Sequence, residues 1–327
     1  MSHLTPQMSA SIFSKKLGYL FRRSTEKLSH VFEDIERSLR YQISSSPPVN
    51  KREIRVIGLR RSGNHAVINW IGKQAKGNSV FINHVRPIEN PYRNQYESQL
   101  RSGKPNTENK NDWKCRDIDW WRAEKEGEFS YKDSLIYSYE DQELEKIAHP
   151  LFERKRELYL GKSETRFDVI VMRDPFNLFA SRLKTKPRED GPNFSMLEVY
   201  SRRYSLAELW ITYAQECLGE TSYLKGQKIF VNYNRWFLDV NYRQEIAEQL
   251  GIDFSDEGID DISDAGRGSS FDGDKYSGSA HKMDVLNRWK SFKGDPLYRK
   301  LINHDGVRYY SQLLFGEISG TDIFLSD

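Results

Sequence analysis

Residues 52–74 read REIRVIGLRRSGNHAVINWIGKQ, and this stretch decides the fold. It opens on a short apolar run, residues 54–59, bounded by charge, as a buried parallel strand is. Arg60, Arg61, Ser62, Gly63 and Asn64 follow as a basic turn with a single glycine. Val67, Ile68, Ile71 and Ala75 then fall at i, i+1, i+4 and i+8, one face of a helix. A strand, a basic glycine turn and a helix start together present free backbone N–H groups and a positive helix end. Such an arrangement holds an anion, here most simply a nucleotide phosphate. His65 and Ala66 complete the helix start, and the helix N-terminal amides from Gly63 to Ala66 are candidates to bind the anion. A Walker A loop is excluded, because no Gly-Lys-Ser/Thr closes the turn. A bland alternative stands beside the anion site: Ser62 caps the helix and the arginines are solvated.

The chain has 327 residues, enough for one large domain or one domain with an extension. It is 37% hydrophobic and 13% aromatic, so a sizeable core with large side chains is expected. A net charge of only +3 argues against a polyanion binder, and no nucleic-acid partner is expected. Cys115 and Cys217 lie far apart and form no metal-ligand spacing, which fits two free thiols in a reducing compartment. No apolar run reaches the length of a membrane span and no signal-peptide pattern opens the chain, so a cytoplasmic location is expected.

Residues 1–50 stand apart as an extension. Residues 11–41 form a charged helical pattern in which Phe13, Leu17, Leu20 and Phe21 make a narrow apolar stripe beside Lys15, Lys16, Arg22 and Arg23. Such a basic amphipathic helix suits peripheral contact with an anionic membrane, docking on a partner, or packing on its own domain. Residues 44–48, SSSPP, read as a linker, and the catalytic unit is expected over 51–327.

Residues 79–83 read as a second strand that runs into His84, at the strand end where ligands sit in doubly wound sheets. Residues 88–130 are polar and aromatic, with Tyr92, Tyr96, Trp113, Trp120 and Trp121 among many charges. They read either as an acceptor-binding insertion with aromatic faces suited to sugar rings, or as an ordinary packed cluster. Residues 133–139 form a further strand, followed by Glu140 and Asp141. Residues 168–172 form another, followed by Arg173, Asp174 and Pro175. Asp174 suits a helix cap and Pro175 the first helical position. Phe176, Phe179, Ala180 and Leu183 then make a buried stripe that leaves Asn177, Ser181 and Lys184 off it. Arg173 at the strand end and Ser181 eight residues later are placed to converge on one anion.

These two motifs resemble those of the sulfotransferase superfamily, which uses 3′-phosphoadenosine 5′-phosphosulfate (PAPS). That family carries a basic-Ser-Gly loop after its first strand, matched here by Arg61-Ser62-Gly63-Asn64-His65. It also carries Arg, then Asn or Asp, then Pro, with Ser eight residues after the Arg, matched by Arg173-Asp174-Pro175 and Ser181. The resemblance implies that the first loop holds the 5′-phosphosulfate and that Arg173 with Ser181 holds the 3′-phosphate. Residues 228–252 are similar to the family's strand, Tyr, short loop and helix, which would put Tyr233 near the adenine. Asn287-Arg288-Trp289-Lys290 resembles its C-terminal Arg-Trp-Lys segment. Asn64 and His65 depart from the family's paired threonines. Residues 265–282 form a Gly/Ser/Asp-rich loop. In relatives a basic loop in this part of the chain closes over the 3′-phosphate, so Arg267, Gly268, Ser269 and Ser270 become candidates.

The reading is thus a three-layer α/β fold with a mainly parallel sheet, P-loop-like in architecture, and a sulfuryl transfer from PAPS to an acceptor hydroxyl without a metal. Arg61, helped by Arg60, would offset charge growing on oxygen. His84 is the candidate base, with Glu140 and Asp141 as alternates. A carbohydrate is one acceptor class, supported only by the aromatic residues within 88–130. Two other readings stay open: a nucleotide-dependent kinase on a similar scaffold, and a non-catalytic nucleotide-binding module.

Overall fold

The computed structural model describes residues 28–38, 47–83, 85–102, 116–185, 197–263 and 268–324. The chain divides into two units, residues 1–47 and 48–327. Of the first, α1 (residues 28–38) is described; it exposes Leu28, Val31, Phe32 and Ile35 at helical spacing. The stripe expected at Phe13, Leu17, Leu20 and Phe21 lies outside the described residues.

The second unit runs β1 (Asn50–Gly58), α2 (Asn64–Gln74), β2 (Ser79–Ile82), α3 (Pro91–Ser102), α4 (Ile118–Glu126) and β3 (Lys132–Glu140). It continues through α5 (Leu144–Ile147), α6 (Pro150–Leu160), β4 (Ser163–Met172), α7 (Pro175–Lys184), α8 (Leu206–Cys217) and β5 (Gln227–Asn232). The helices α9 (Tyr233–Leu238), α10 (Val240–Gln249), α11 (Pro296–Ile302) and α12 (Asp305–Phe315) follow. The five strands pair in parallel in the order β2-β3-β1-β4-β5. β1 is therefore central, and β3 and β4 flank it. Gly58 lies opposite both Glu140 and Val171, which brings the ends of three strands to one edge. The fold is α/β in three layers, as the sequence implies.

The two faces of the sheet differ in chemistry. One face buries Ile54 and Val56 of β1, Val169 and Val171 of β4 and Val231 of β5 against α2, α9 and α10. The other face carries charge. Glu53 accepts from Tyr137 Oη at 2.7 Å, from Ser163 Oγ at 2.7 Å and from Arg156 of α6 at 3.2 Å. Arg55 donates to Asp168 at 2.7 Å and to Glu153 at 2.7 Å. This network lets β1 begin at Asn50 and run straight through residues that the sequence places at its charged boundary. A buried charge is tolerated when it is paired and hydrogen-bonded.

Residues 88–130 also differ from a long open connection. They hold α3 and α4, and Tyr92 and Trp121 are fully buried. Lys132 Nζ sits 5.6 Å from the Tyr92 ring and 5.8 Å from that of Phe129, and pairs with Glu124 at 2.8 Å. The described aromatic rings here close a packed cluster around an ion pair. Trp113 lies outside the described residues.

Helix α7 is buried more completely than its stripe suggests. Asn177 and Ser181, expected off the core, are fully buried, because a 3₁₀ turn at Arg288–Phe292 packs over them. Asp174 caps this helix, accepting from the Asn177 amide, with Pro175 at its start.

Candidate functional site

The turn after β1 is built by backbone hand and by two glycines. Arg61 (φ 73°) and Gly63 (φ 94°) both lie in the left-handed region, with Ser62 between them. Alternation of this kind turns successive N–H groups toward one concavity, a nest for an anion. At Gly63 only glycine fits, since a Cβ there would stand 2.1 Å from the Tyr233 ring. Gly58 is similarly constrained, because its Cβ position is taken by Asn64 Oδ1 at 2.1 Å. That close approach lets Asn64 Nδ2 donate to Leu59 O at 3.0 Å and to Glu140 Oε1 at 3.0 Å, tying the turn to the end of β3.

Gly63 is itself the N-cap of α2, and among the described residues no side chain caps the helix. Ser62 is buried and its amide donates to Leu59 O at 3.1 Å. The reading of Ser62 as a helix cap is therefore set aside. The Ala66 amide is taken by Gly63 O at 3.0 Å, so Ala66 offers nothing to an anion. First-turn amides have no intrahelical acceptor, which leaves that of Asn64 facing the turn. His65 Nε2 lies 3.7 Å from Glu140 Oε1, and its ring meets that of Phe81 edge-on.

The two arginines of the turn part company. Arg60 donates its amide to Asp141 Oδ1 at 2.9 Å, pairs through Nε with Asp141 Oδ2, and donates Nη2 to Glu198 O at 2.6 Å. Arg182, fully buried, completes the cluster, donating to the two Asp141 oxygens at 2.8 and 2.9 Å. With both oxygens bound to guanidinium groups, Asp141 is a structural anchor for the turn. Arg61 points the other way, donating Nη2 to Gly268 O at 3.2 Å.

Arg173 leaves β4 two residues beyond the β1 register and is 2% exposed. It donates Nη1 to Ser181 Oγ at 3.2 Å and to Arg61 O at 3.3 Å, and Nη2 to Val285 O. Its guanidinium lies 5.3 Å from the Tyr233 ring centroid, and that ring also stacks on Trp236 at 5.6 Å. Tyr233 thus wedges Gly63, Arg173 and Trp236 together, the placement of a positioning residue.

A third arginine joins them. Arg288 donates Nη1 to Ser181 Oγ at 3.2 Å and Nη2 to Ser269 Oγ at 2.6 Å, and lies 3.4 Å from Asp272 Oδ2. Its place follows from Asn177, which donates to Leu286 O at 3.0 Å and accepts from the Trp289 amide at 3.4 Å. Ser181 Oγ accepts from two guanidiniums, so its own proton is left to donate onward. Burial, then the nearby Arg173 charge, lowers the guanidiniums of Arg61 and Arg288 from the usual arginine range, Arg288 to about 9. Burial alone lowers Arg173. Three cations held this close form a site prepared for anionic charge.

The sequence names Arg173, Ser181, Arg61, Gly63, Asn64, His65 and Tyr233, and the structure gathers all of them at one sheet edge. Gly268 and Ser269 meet the same site from the loop through Arg61 and Arg288, and Ser270 follows them in the chain. Arg60 and Asp141 stand behind it. His84 and Arg267 lie outside the described residues. Arg182 and the role of Arg288 were missed, although Arg288 stands in a quoted motif and Arg182 follows Ser181 directly. An arginine inside an otherwise apolar helix was the available signal. Among the described residues no cluster of His, Cys, Asp or Glu could hold a metal ion, and no helix is long and apolar enough to cross a membrane.

No protein-family model matches the chain, and no curated protein is significantly similar to it. Among solved structures, a sulfotransferase domain from the curacin biosynthetic pathway has a TM-score of 0.42 and 12% sequence identity to it. That comparison covers 84% of this chain and 100% of the domain. A likeness so distant leaves the functional reading to the residues of the site.

Proposed function

We propose that this protein is a sulfotransferase that moves a sulfuryl group from PAPS to an acceptor hydroxyl. The observation that carries the reading is the pair of adjoining anion sites: the nest of residues 60–63, and the Arg173–Ser181–Arg288 cluster bonded to it through Arg61 O at 3.3 Å. A donor with a 3′-phosphate and a 5′-phosphosulfate carries charge at two places and matches two sites. A single triphosphate chain, as a kinase needs, matches them less well. The residues fit such a donor on a further ground. Among the described residues, Arg173 Nε, Arg288 Nε and Ser270 Oγ are buried with no hydrogen-bond partner, and unsatisfied buried donors are expensive unless a ligand meets them.

In this scheme Arg173, Ser181 and Arg288 hold the 3′-phosphate, while Arg61 and the loop that runs through Ser62, Gly63 and Asn64 to His65 hold the phosphosulfate. When bound, PAPS supplies an electrophilic sulfuryl group. Arg61 offsets the negative charge that grows on oxygen during transfer, and the loop amides share that work. Glu140, fixed by Asn64 beside His65, is placed to take the proton of the acceptor hydroxyl. His84 is the other candidate for that step. The buried rings of α3 and α4 lend no support to a sugar acceptor, and the acceptor is proposed only as a hydroxyl compound.

The test is thermal stability against adenosine 3′,5′-bisphosphate, PAPS and ATP with Mg²⁺, on the wild type and Arg173→Ala. A ligand that binds only the folded state raises the midpoint. The expected result is stabilisation by the bisphosphate and PAPS that vanishes in Arg173→Ala. Stabilisation by ATP with Mg²⁺ alone would hand the site to the kinase reading. Binding without sulfate transfer to any acceptor would favour a non-catalytic module.

A further inference from the structure

Residues 268–273 fold over the arginine cluster through contacts made by the protein itself. The turn closes on paired backbone bonds between Ser269 and Gly273, at 2.8 and 2.9 Å. Gly268 (φ 69°) is required there, since a Cβ would stand 2.4 Å from Gly273 O. Ser269 Oγ accepts from the Phe271 and Asp272 amides at 3.2 and 3.1 Å, and donates to Asp272 Oδ2 at 2.9 Å. The turn therefore delivers one hydroxyl and one carboxylate, side by side, to Arg288 Nη2. Arg61 Nη2 holds its other end through Gly268 O at 3.2 Å. A carboxylate and a phosphate oxygen ask the same thing of a guanidinium, a charged acceptor in its plane. Asp272 is 25% exposed while Arg288 is 7% exposed, so the acid lies on the solvent side of a buried cation.

We infer that Asp272 is a resident counter-ion of Arg288, which an incoming phosphate must displace, so that residues 268–273 act as a self-competing latch on the anion site. The inference rests on the reading of Arg61, Arg173 and Arg288 as a nucleotide-phosphate site, and adds to it a regulator of affinity. Two consequences have opposite signs. Without ligand, Asp272 neutralises part of a crowded cationic cluster and steadies the fold. With ligand, breaking its contact lowers the apparent affinity by the fraction of molecules in which Arg288 is already released.

Asp272→Asn separates these effects, because asparagine keeps the shape and acceptor oxygen of the turn and removes the charge. The experiment is calorimetric titration of the full chain with adenosine 3′,5′-bisphosphate, together with the thermal midpoint of the ligand-free protein. Asp274→Asn, an exposed loop carboxylate two residues on, controls for general charge. Asp272→Asn should bind the bisphosphate about two- to five-fold more tightly, the range set by releasing one partly exposed ion pair. Its ligand-free midpoint should fall, and Asp274→Asn should resemble the wild type in both. Equal or weaker binding by Asp272→Asn, with the wild type binding normally, would overturn the latch alone. An equal gain from Asp274→Asn would overturn it too, as a general charge effect. If neither the wild type nor the variant binds the bisphosphate, the nucleotide reading falls and the latch with it.

Discussion

Arg288→Gln should separate binding from stability in a way that few core substitutions do. In the folded chain Arg288 is 7% exposed, and burial, Arg173 and Arg61 push its guanidinium down to about 9. It stays charged at neutral pH, so the fold bears the cost of that displacement, of order 5 kcal/mol. Glutamine relieves the cost. It also forfeits the bonds to Ser181 Oγ at 3.2 Å and Ser269 Oγ at 2.6 Å, worth about 1.5–3 kcal/mol each for a charged donor. Gain and loss are of similar size, so the ligand-free variant should lie within about 2 kcal/mol of the wild type. That corresponds to a midpoint change of no more than about 4–8 °C, read by scanning calorimetry. Binding has no such compensation. Loss of one charged contact to the 3′-phosphate should weaken adenosine 3′,5′-bisphosphate about 10- to 150-fold by titration. A variant that melts far lower yet binds the bisphosphate normally would show Arg288 to be a strut, and the three-arginine site would be refuted.

Two further outcomes follow from the same edge of the sheet. Glu140→Gln should lower turnover about 10²- to 10⁴-fold while bisphosphate affinity holds, measured by sulfate transfer beside titration. Undiminished turnover would move the proton transfer to His84, and His84→Ala read in the same assay would decide it. Asp141→Asn removes the counter-charge of a fully buried Arg182 and the partner of Arg60. It should cost about 3–5 kcal/mol, visible as a fall in the denaturation midpoint. A loss of activity without that fall would instead make Asp141 a participant in the chemistry.

What the sequence disclosed depends on how locally each feature is built. The strand, turn and helix of residues 50–74 are close neighbours in the chain, and apolar spacing with one glycine suffices to read them. Arg173 and Ser181 are legible for the same reason, since a strand end and two helical turns bring them together. β1 misleads at its start because the partners that make Glu53 and Arg55 tolerable come from Arg156, Asp168 and Glu153, roughly a hundred residues away. The parting of Arg60 from Arg61 is equally hidden. It is settled by the left-handed backbone at Arg61 and by Asp141 across the sheet edge.

Arg288 is the sharpest case. It reaches Ser181 across 107 residues, and nothing in its own segment aims it there. The aim comes from Asn177, whose amide and carbonyl staple the segment to α7 through Leu286 and Trp289. To the sequence, Asn177 is merely an off-stripe polar residue of a capped helix. Its full burial shows that the helix has a second covered face, and that face carries the charge-handling part of the site. Helical periodicity identifies the apolar stripe because water leaves every such residue at similar gain. It is silent about a polar face buried against a late segment, where each group must find its own partner. The Arg173–Ser181–Arg288 cluster lies on that second face, and for that reason the loop at residues 60–63 was legible before the arginine that completes the cluster.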